Sequence, residues 1–178
     1  HDQDYYTNLI NLSLSKLDAR KIGFPLSEAL IKREHVIAQG TIQNTHYAQQ
    51  HGVSMNIAGG THHAFRDRPG AFCMLNDQAI ASNYLIDNNL AKRVMIVDLD
   101  VHQGDGTASI FEHQDSVFTI SFHGQKNYPF KKQNSDFDLA FDDNIEDGAY
   151  LNALKNVSFY ESWVCSTQAT CICCGFYQ

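Results

Sequence analysis

The sequence predicts an α/β protein, a mainly parallel sheet held between helices in a three-layer α/β/α arrangement. Three observations predict it. Arg93-Val94-Met95-Ile96-Val97 and Val117-Phe118-Thr119-Ile120 are apolar, β-branched runs that read as strands buried on both faces. Segments with apolar residues at helical spacing lie before and after those runs, and alternation of helix with strand implies parallel strands joined by helices. A cluster of carboxylates and histidine follows the first run directly, where open α/β sheets carry their sites.

Each element follows in chain order. Tyr5 to Leu17 has apolar residues at near-helical spacing. Pro25 and Ser27 open a longer helix, with Ser27 as N-cap and Glu28 in its first turn. Leu30, Ile31, Val36, Ile37, Ala38 and Ile42 mark its buried side, and Gly52 stops it. Val53 to Ala58 reads as a short strand entering the Gly59-Gly60 turn. Asn76 or Asp77 caps a helix through about Ile86, which Asn88-Asn89 ends. Val94 to Val97 and Val117 to Ile120 are the clearest strands. Asp147 caps a last helix through about Tyr160. There is no internal repeat and no low-complexity linker.

At 178 residues one domain is the default, and a sizeable core can form. A hydrophobic fraction of 43% and a charged fraction of 19% are ordinary for a soluble chain. No apolar run is long enough to span a bilayer and no signal peptide is visible, so a cytoplasmic location without membrane partners is expected. A net charge of −7 and a pI near 5.6 argue against direct nucleic-acid binding, which needs a basic surface. The acidic stretch Asp136, Asp138, Asp142, Asp143, Glu146 and Asp147 reads as a solvated loop, or as a rim attracting basic substrates.

The chemistry concentrates in Asp98-Leu99-Asp100-Val101-His102-Gln103-Gly104-Asp105-Gly106 and in Gly59-Gly60-Thr61-His62-His63. Side chains alternate along a strand, so Asp98, Asp100 and His102 share one side if the strand runs through them. Unpaired carboxylates at the end of an apolar strand are unfavourable unless a cation or hydrogen bonds satisfy them. Carboxylate oxygen and imidazole nitrogen are ligands that zinc accepts. His62 and His63 add two groups that titrate near neutral pH.

Gly-Gly-x-His-His-Ala, Phe72-Cys73-x-x-Asn76-Asp77, Val97-Asp98-Leu99-Asp100-Val101-His102-x-Gly-Asp-Gly-Thr and Ser121-Phe122-His123 together resemble the histone deacetylase family of the arginase-deacetylase fold. Gln103, Asn56 to Gly60 and Gly124 to Pro129 look most like its bacterial, class IV-like branch. The resemblance covers 1–163, read as a partial deacetylase domain. It implies zinc-dependent hydrolysis of an acyl-amide on a lysine of a protein or on a polyamine. In this resemblance His62 and His63 are the proton-transfer pair, oriented by Asp98 and Asp105 in turn. Asp100 and His102 bind zinc. Phe72 and Tyr128 wall the substrate tunnel in this resemblance, and plain core is the alternative reading of Phe72. Asp98 and Ser121 resemble the family's potassium site, a structural cation, and Ser121 reads equally as a strand-end serine bonded to backbone. Cys73 is a small buried hydrophobe near the site.

Departures from the family pattern are also visible. Ala71 stands where the family commonly has Gly, a methyl group that would narrow the tunnel or shift the backbone. The family's third zinc ligand is an aspartate in a later strand, and its transition-state tyrosine follows a Gly-rich loop. Val164 to Gln178 contains no Asp or Glu and holds four of the five cysteines, Cys165, Cys171, Cys173 and Cys174. Residues 164–178 therefore read as an aberrant, Cys-rich tail outside the fold. Their spacing lacks a clear C-x-x-C pair and makes a weak thiolate metal site. Two other functions compete with a deacetylase that this form leaves inactive. One is a non-catalytic remnant. The other is an arginase-like ureohydrolase with manganese, which would want an Asp where Gly104 stands.

Overall fold

The computed structural model describes residues 1–157 and the strand 169–174. Their order is α1 (Gln3–Ile10), α2 (Lys16–Ile22), α3 (Glu28–His51), α4 (Asp77–Asp87), β1 (Arg93–Asp98), α5 (Asp105–Phe111), β2 (Val117–Gly124), β3 (Phe137–Phe141), α6 (Asp147–Lys155) and β4 (Ala169–Cys174). The four strands form one sheet in the order β3-β2-β1-β4, every pair parallel.

Strand alternation splits β1 between two cores. Val94 and Ile96 face Ala79 and Leu85 of α4 and Phe111 of α5, with Val117 and Ile172 alongside. Met95 and Val97 face the opposite layer, where Phe122, Phe137 and Phe141 meet Tyr150 and Leu154 of α6. Those two faces make the expected three layers. A third cluster joins Tyr5 and Leu9 of α1, Ile22 of α2 and Ile31 of α3 to Met74 and Leu75.

The long helix begins and ends as the sequence indicates. Ser27 accepts a hydrogen bond from the Leu30 amide, and Gly52 closes the helix at φ 88°. Asn76 caps α4 by accepting from the Ala79 amide.

Other expectations need correction. The helical spacing of Tyr5 to Leu17 is two helices, because the chain breaks at Leu12 (φ 56°) and Ser15 caps α2 by accepting from Asp18. Val36 is 64% exposed, since it falls off the stripe set by Ile31, Glu34, Ile37, Ala38 and Thr41. Val53 to Ala58 is a loop, shaped by Asn56, whose amide donates to Ile37 O and Thr41 Oγ1. The last helix ends at Lys155; its expected continuation to Tyr160 runs beyond the described residues. The composition of residues 164–178 puts them outside the fold, yet Ala169–Cys174 pair with Arg93–Asp98 as an edge strand. Parallel pairing asks only for extended backbone, which a Thr- and Cys-rich segment supplies.

Candidate active site

The tandem histidines sit in the loop between α3 and α4. Both rings are buried and 4.1 Å apart between centroids. A carboxylate can only accept, so each imidazole donates through Nδ1: His62 to Asp98 Oδ2 at 2.5 Å, and His63 to Asp105 Oδ1 at 2.6 Å. The acceptors come from separate elements, Asp98 from the end of β1 and Asp105 from the start of α5. Both Nε2 atoms are thereby left as the working nitrogens. Gly106 lets α5 approach this loop closely: a Cβ there would collide with Ala64 O and lie 2.7 Å from His62 O.

The two rings differ in their electrostatics. Burial alone would lower the His62 pKa, but the adjacent Asp98 carboxylate outweighs it and holds the ring above the ordinary histidine value. His63 is lowered by burial, and its hydrogen bond to Asp105 only partly compensates. Of the two rings, His62 therefore holds a proton more tightly and His63 less tightly.

Beside this pair lie Asp100 and His102, with His102 Nδ1 at 3.1 Å from Asp100 Oδ1 and the His102 ring 6.0 Å from that of His63. The expectation that β1 runs through them does not hold, because the strand ends at Asp98. Two side chains turn the chain instead. Asp98 Oδ1 accepts from the Asp100 amide and Asp100 Oδ1 accepts from the His102 amide, at 3.0 and 2.8 Å. The two donors still converge, and a carboxylate with an imidazole suits zinc. Among the described residues no group of three or more His, Cys, Asp or Glu side chains could hold a metal by itself, and Asp100 with His102 could supply two donors.

Tyr128 stands edge-on to His63 at 4.9 Å between ring centroids and lies 6.3 Å from the His102 ring. Burial raises its hydroxyl pKa, and the nearby Ala71 backbone partly opposes that rise. Phe72 itself is 61% exposed at φ 59°, which corrects its alternative reading as core; its ring packs on Phe24 and over Gly23. Ser121 is buried beside Asp98 in the β1–β2 register, and its Oγ lies 3.0 Å from His123 Nδ1 rather than on backbone. Cys73 is buried, and burial pushes its thiol up to about 12, which suits a packing role. Of the acidic stretch, Asp136 accepts from Thr119 N and Oγ1, and Asp138 accepts from Gln103 Nε2, so these two brace the sheet end. The sequence shows Asn76 and Asp77 as helix caps and as part of a family motif without a role, and both reach the histidine loop.

The fold and these paired histidines point to one protein family. The profile of the Histone deacetylase domain matches residues 1–176, and the chain belongs to that family. It is 45% identical over 156 residues to an uncharacterized protein of Picosynechococcus sp., covering 88% of this chain and 52% of that one. It is 33% identical over 115 residues to the acetoin utilization protein AcuC of Bacillus subtilis, covering 58% of this chain and 30% of AcuC. Among solved structures, an HDAC homolog from Aquifex aeolicus superposes with a TM-score of 0.76 at 27% identity, covering 92% of this chain and 50% of the homolog. An HDAC homolog complexed with SAHA matches equally, with a TM-score of 0.76. The fold is therefore the arginase-deacetylase fold. The chain spans about half the length of these relatives where it matches them over most of its own.

Proposed function

We propose that this chain carries the proton-transfer machinery and two metal ligands of a zinc-dependent amide hydrolase. Its substrates would be acyl-lysine side chains of proteins, or acylated polyamines. The observation that carries the reading is the pair of buried His–Asp couples, His62–Asp98 and His63–Asp105, set beside Asp100 and His102. Zinc held by Asp100, His102 and a third ligand would polarise the scissile carbonyl and acidify a water.

The other steps belong to the side chains. His63 takes the proton of the attacking water at Nε2, because its lowered pKa keeps it neutral. Asp105 fixes the Nδ1–H tautomer this requires and steadies the imidazolium that forms. His62, whose proton affinity Asp98 raises, is the ring better suited to stabilise negative charge building on the carbonyl oxygen. Tyr128 packs its ring against His63 and would flank the aliphatic stem of the substrate, with Phe72 further out at the entrance. Asp98 and Ser121 are proposed for a structural potassium ion, and the cytoplasm as the compartment.

The ureohydrolase alternative is disfavoured by space. A Cβ at Gly104 would collide with Asp98 Oδ2, so an aspartate ligand does not fit there. Asp100 and His102 are two donors, where catalytic zinc takes three protein ligands. We propose accordingly that the 178-residue chain by itself does not turn over.

The test uses an acetyl-lysine peptide and two polypeptides, this chain and one extended to the full length of its relatives. Chelator-sensitive acetate release is expected from the extended polypeptide only. His63→Ala should lower it more than His62→Ala. Acetate release that persists undiminished in His63→Ala would refute the assigned base.

A further inference from the structure

The sheet end supplies the carboxylates that receive His62 and His63, but nothing in those hydrogen bonds fixes the loop on which the histidines ride. We propose that Asn76 and Asp77, the first residues of α4, are positioning residues that grip this loop from both sides. The inference rests on the proposed function only for its catalytic consequence; the grip itself is geometric.

Asp77 takes the incoming half of the loop by its donors. Its Oδ1 accepts from the Thr61 amide and Thr61 Oγ1, both at 2.8 Å, and both carboxylate oxygens lie 3.1 Å from the Gly60 amide. Thr41 of α3 adds a hydrogen bond to Oδ2 at 2.6 Å. Asn76 takes the outgoing half by its acceptors. Its amide donates to Ala64 O at 3.1 Å and His62 O at 3.4 Å, and to Thr107 Oγ1 of α5 at 3.0 Å. The gripped spans enclose His62 and His63.

Helix stability alone does not account for this arrangement. An N-cap needs only Asn76 Oδ1, which accepts from the Ala79 amide. An acidic residue in the first turn complements the helix dipole equally well from the surface. Asp77 is instead 1% exposed and Asn76 fully buried, a placement that is favourable only if their hydrogen bonds are made. Those bonds go to the histidine loop. With the loop pinned to α4, each imidazole is aimed at a carboxylate on a different element, and a shift near 1 Å would misalign both couples.

Asn76→Asp separates positioning from capping. It keeps an oxygen for the Ala79 amide, since Asp and Asn cap equally well, and turns a carboxylate toward two carbonyls. The readout is proton NMR of this chain labelled with ¹⁵N-histidine. The unmodified chain should show two far-downfield Nδ1–H resonances, one for each His–Asp couple. Asn76→Asp should lose at least one of them while far-UV dichroism keeps the helical signal, the melting temperature falling because a buried carboxylate then faces two carbonyls. Both resonances unchanged would overturn the proposal.

If Asn76→Asp does not fold, Asp77→Asn should speed amide exchange at Gly60 and Thr61 at least about tenfold, and unchanged exchange would overturn it. If neither variant folds, the unmodified chain decides: Gly60 and Thr61 amides exchanging as fast as in an unstructured peptide exclude the grip.

In the extended polypeptide, Asn76→Asp should lower kcat at least tenfold and leave KM in place. If that polypeptide releases no acetate but the resonances collapse in the variant, the function fails and the grip stands. If it releases acetate and the resonances do not move in the variant, the function stands and the grip fails.

Discussion

Glu34 places a carboxylate on the buried side of α3, 1% exposed, with Oε1 bonded to Arg33 at 2.9 Å and Oε2 without a hydrogen-bond partner among the described residues. Burial raises its pKa above the ordinary value, the Arg33 cation opposes that, and nearby Asp77 pushes it further up. A carboxyl whose folded pKa exceeds its unfolded one binds protons more tightly when folded. Stability therefore falls as pH rises from the unfolded value, about 4.3, through the raised folded value. Glu34→Gln should melt higher than the unmodified chain at pH 7, and the gap should close below about pH 4. A gap that widens on acidification would show that the Arg33 bond dominates. At Gly106 the relevant force is contact. Adding a methyl against Ala64 O forces α5 and the histidine loop apart. Gly106→Ala should lower the stability read from denaturant unfolding by about 1–3 kcal/mol, as overpacking does. Substitution at no cost would mean that the loop yields freely.

At the level of elements, what the sequence disclosed depended on whether local chemistry decided the outcome. Ser27 and Gly52 bound α3 through their own conformational preferences, so both ends were legible. Ser27→Ala should cost about 1 kcal/mol in thermal unfolding, the usual value of an N-cap oxygen. An unchanged melt would show that packing of α3 holds its first turn. The break between α1 and α2 was not legible, because Leu12 and Leu14 continue the apolar spacing and the left-handed turn at Leu12 is imposed by context. The strand expected at Val53 to Ala58 failed for a similar reason. Its apolar residues are the exposed ones, Val53 81%, Met55 82% and Ile57 85%, while polar Asn56 makes the bonds to α3. Alternation gave the right period there and the wrong partner. β4 escaped notice because its cysteines read as weak thiolate ligands in an acid-free tail, whereas beside β1 they serve as small apolar residues on an extended backbone.

For the whole molecule, alternating helices and strands made the layered sheet legible, since the apolar runs at β1 and β2 admit only burial on both faces. The histidine and aspartate groups were legible as motifs. The grip of Asn76 and Asp77 was not, because it joins residues up to 36 positions apart through the packing of α3, α4 and α5. The same global view bears on the metal. Catalytic zinc takes three protein ligands, and the proposed site has two of them among the described residues, Asp100 and His102. A metal that binds only the folded state stabilises it by RT ln(1 + [L]/Kd), about 0.4 kcal/mol when its concentration equals Kd and about 2.7 kcal/mol at a hundredfold excess. Two donors should leave this chain near the lower figure at about 100 μM zinc, a melting shift of roughly 1–2 °C. Cys171 and Cys173 complicate the measurement, because their exposed thiols lie 3.7 Å apart and attract zinc independently. Alkylating the cysteines first isolates the Asp100–His102 pair. Under that condition the residual shift should be small and should vanish in Asp100→Ala. A rise of several degrees that Asp100→Ala abolishes would mean that a third donor completes the site from outside the described residues, and that this chain retains zinc as its family does.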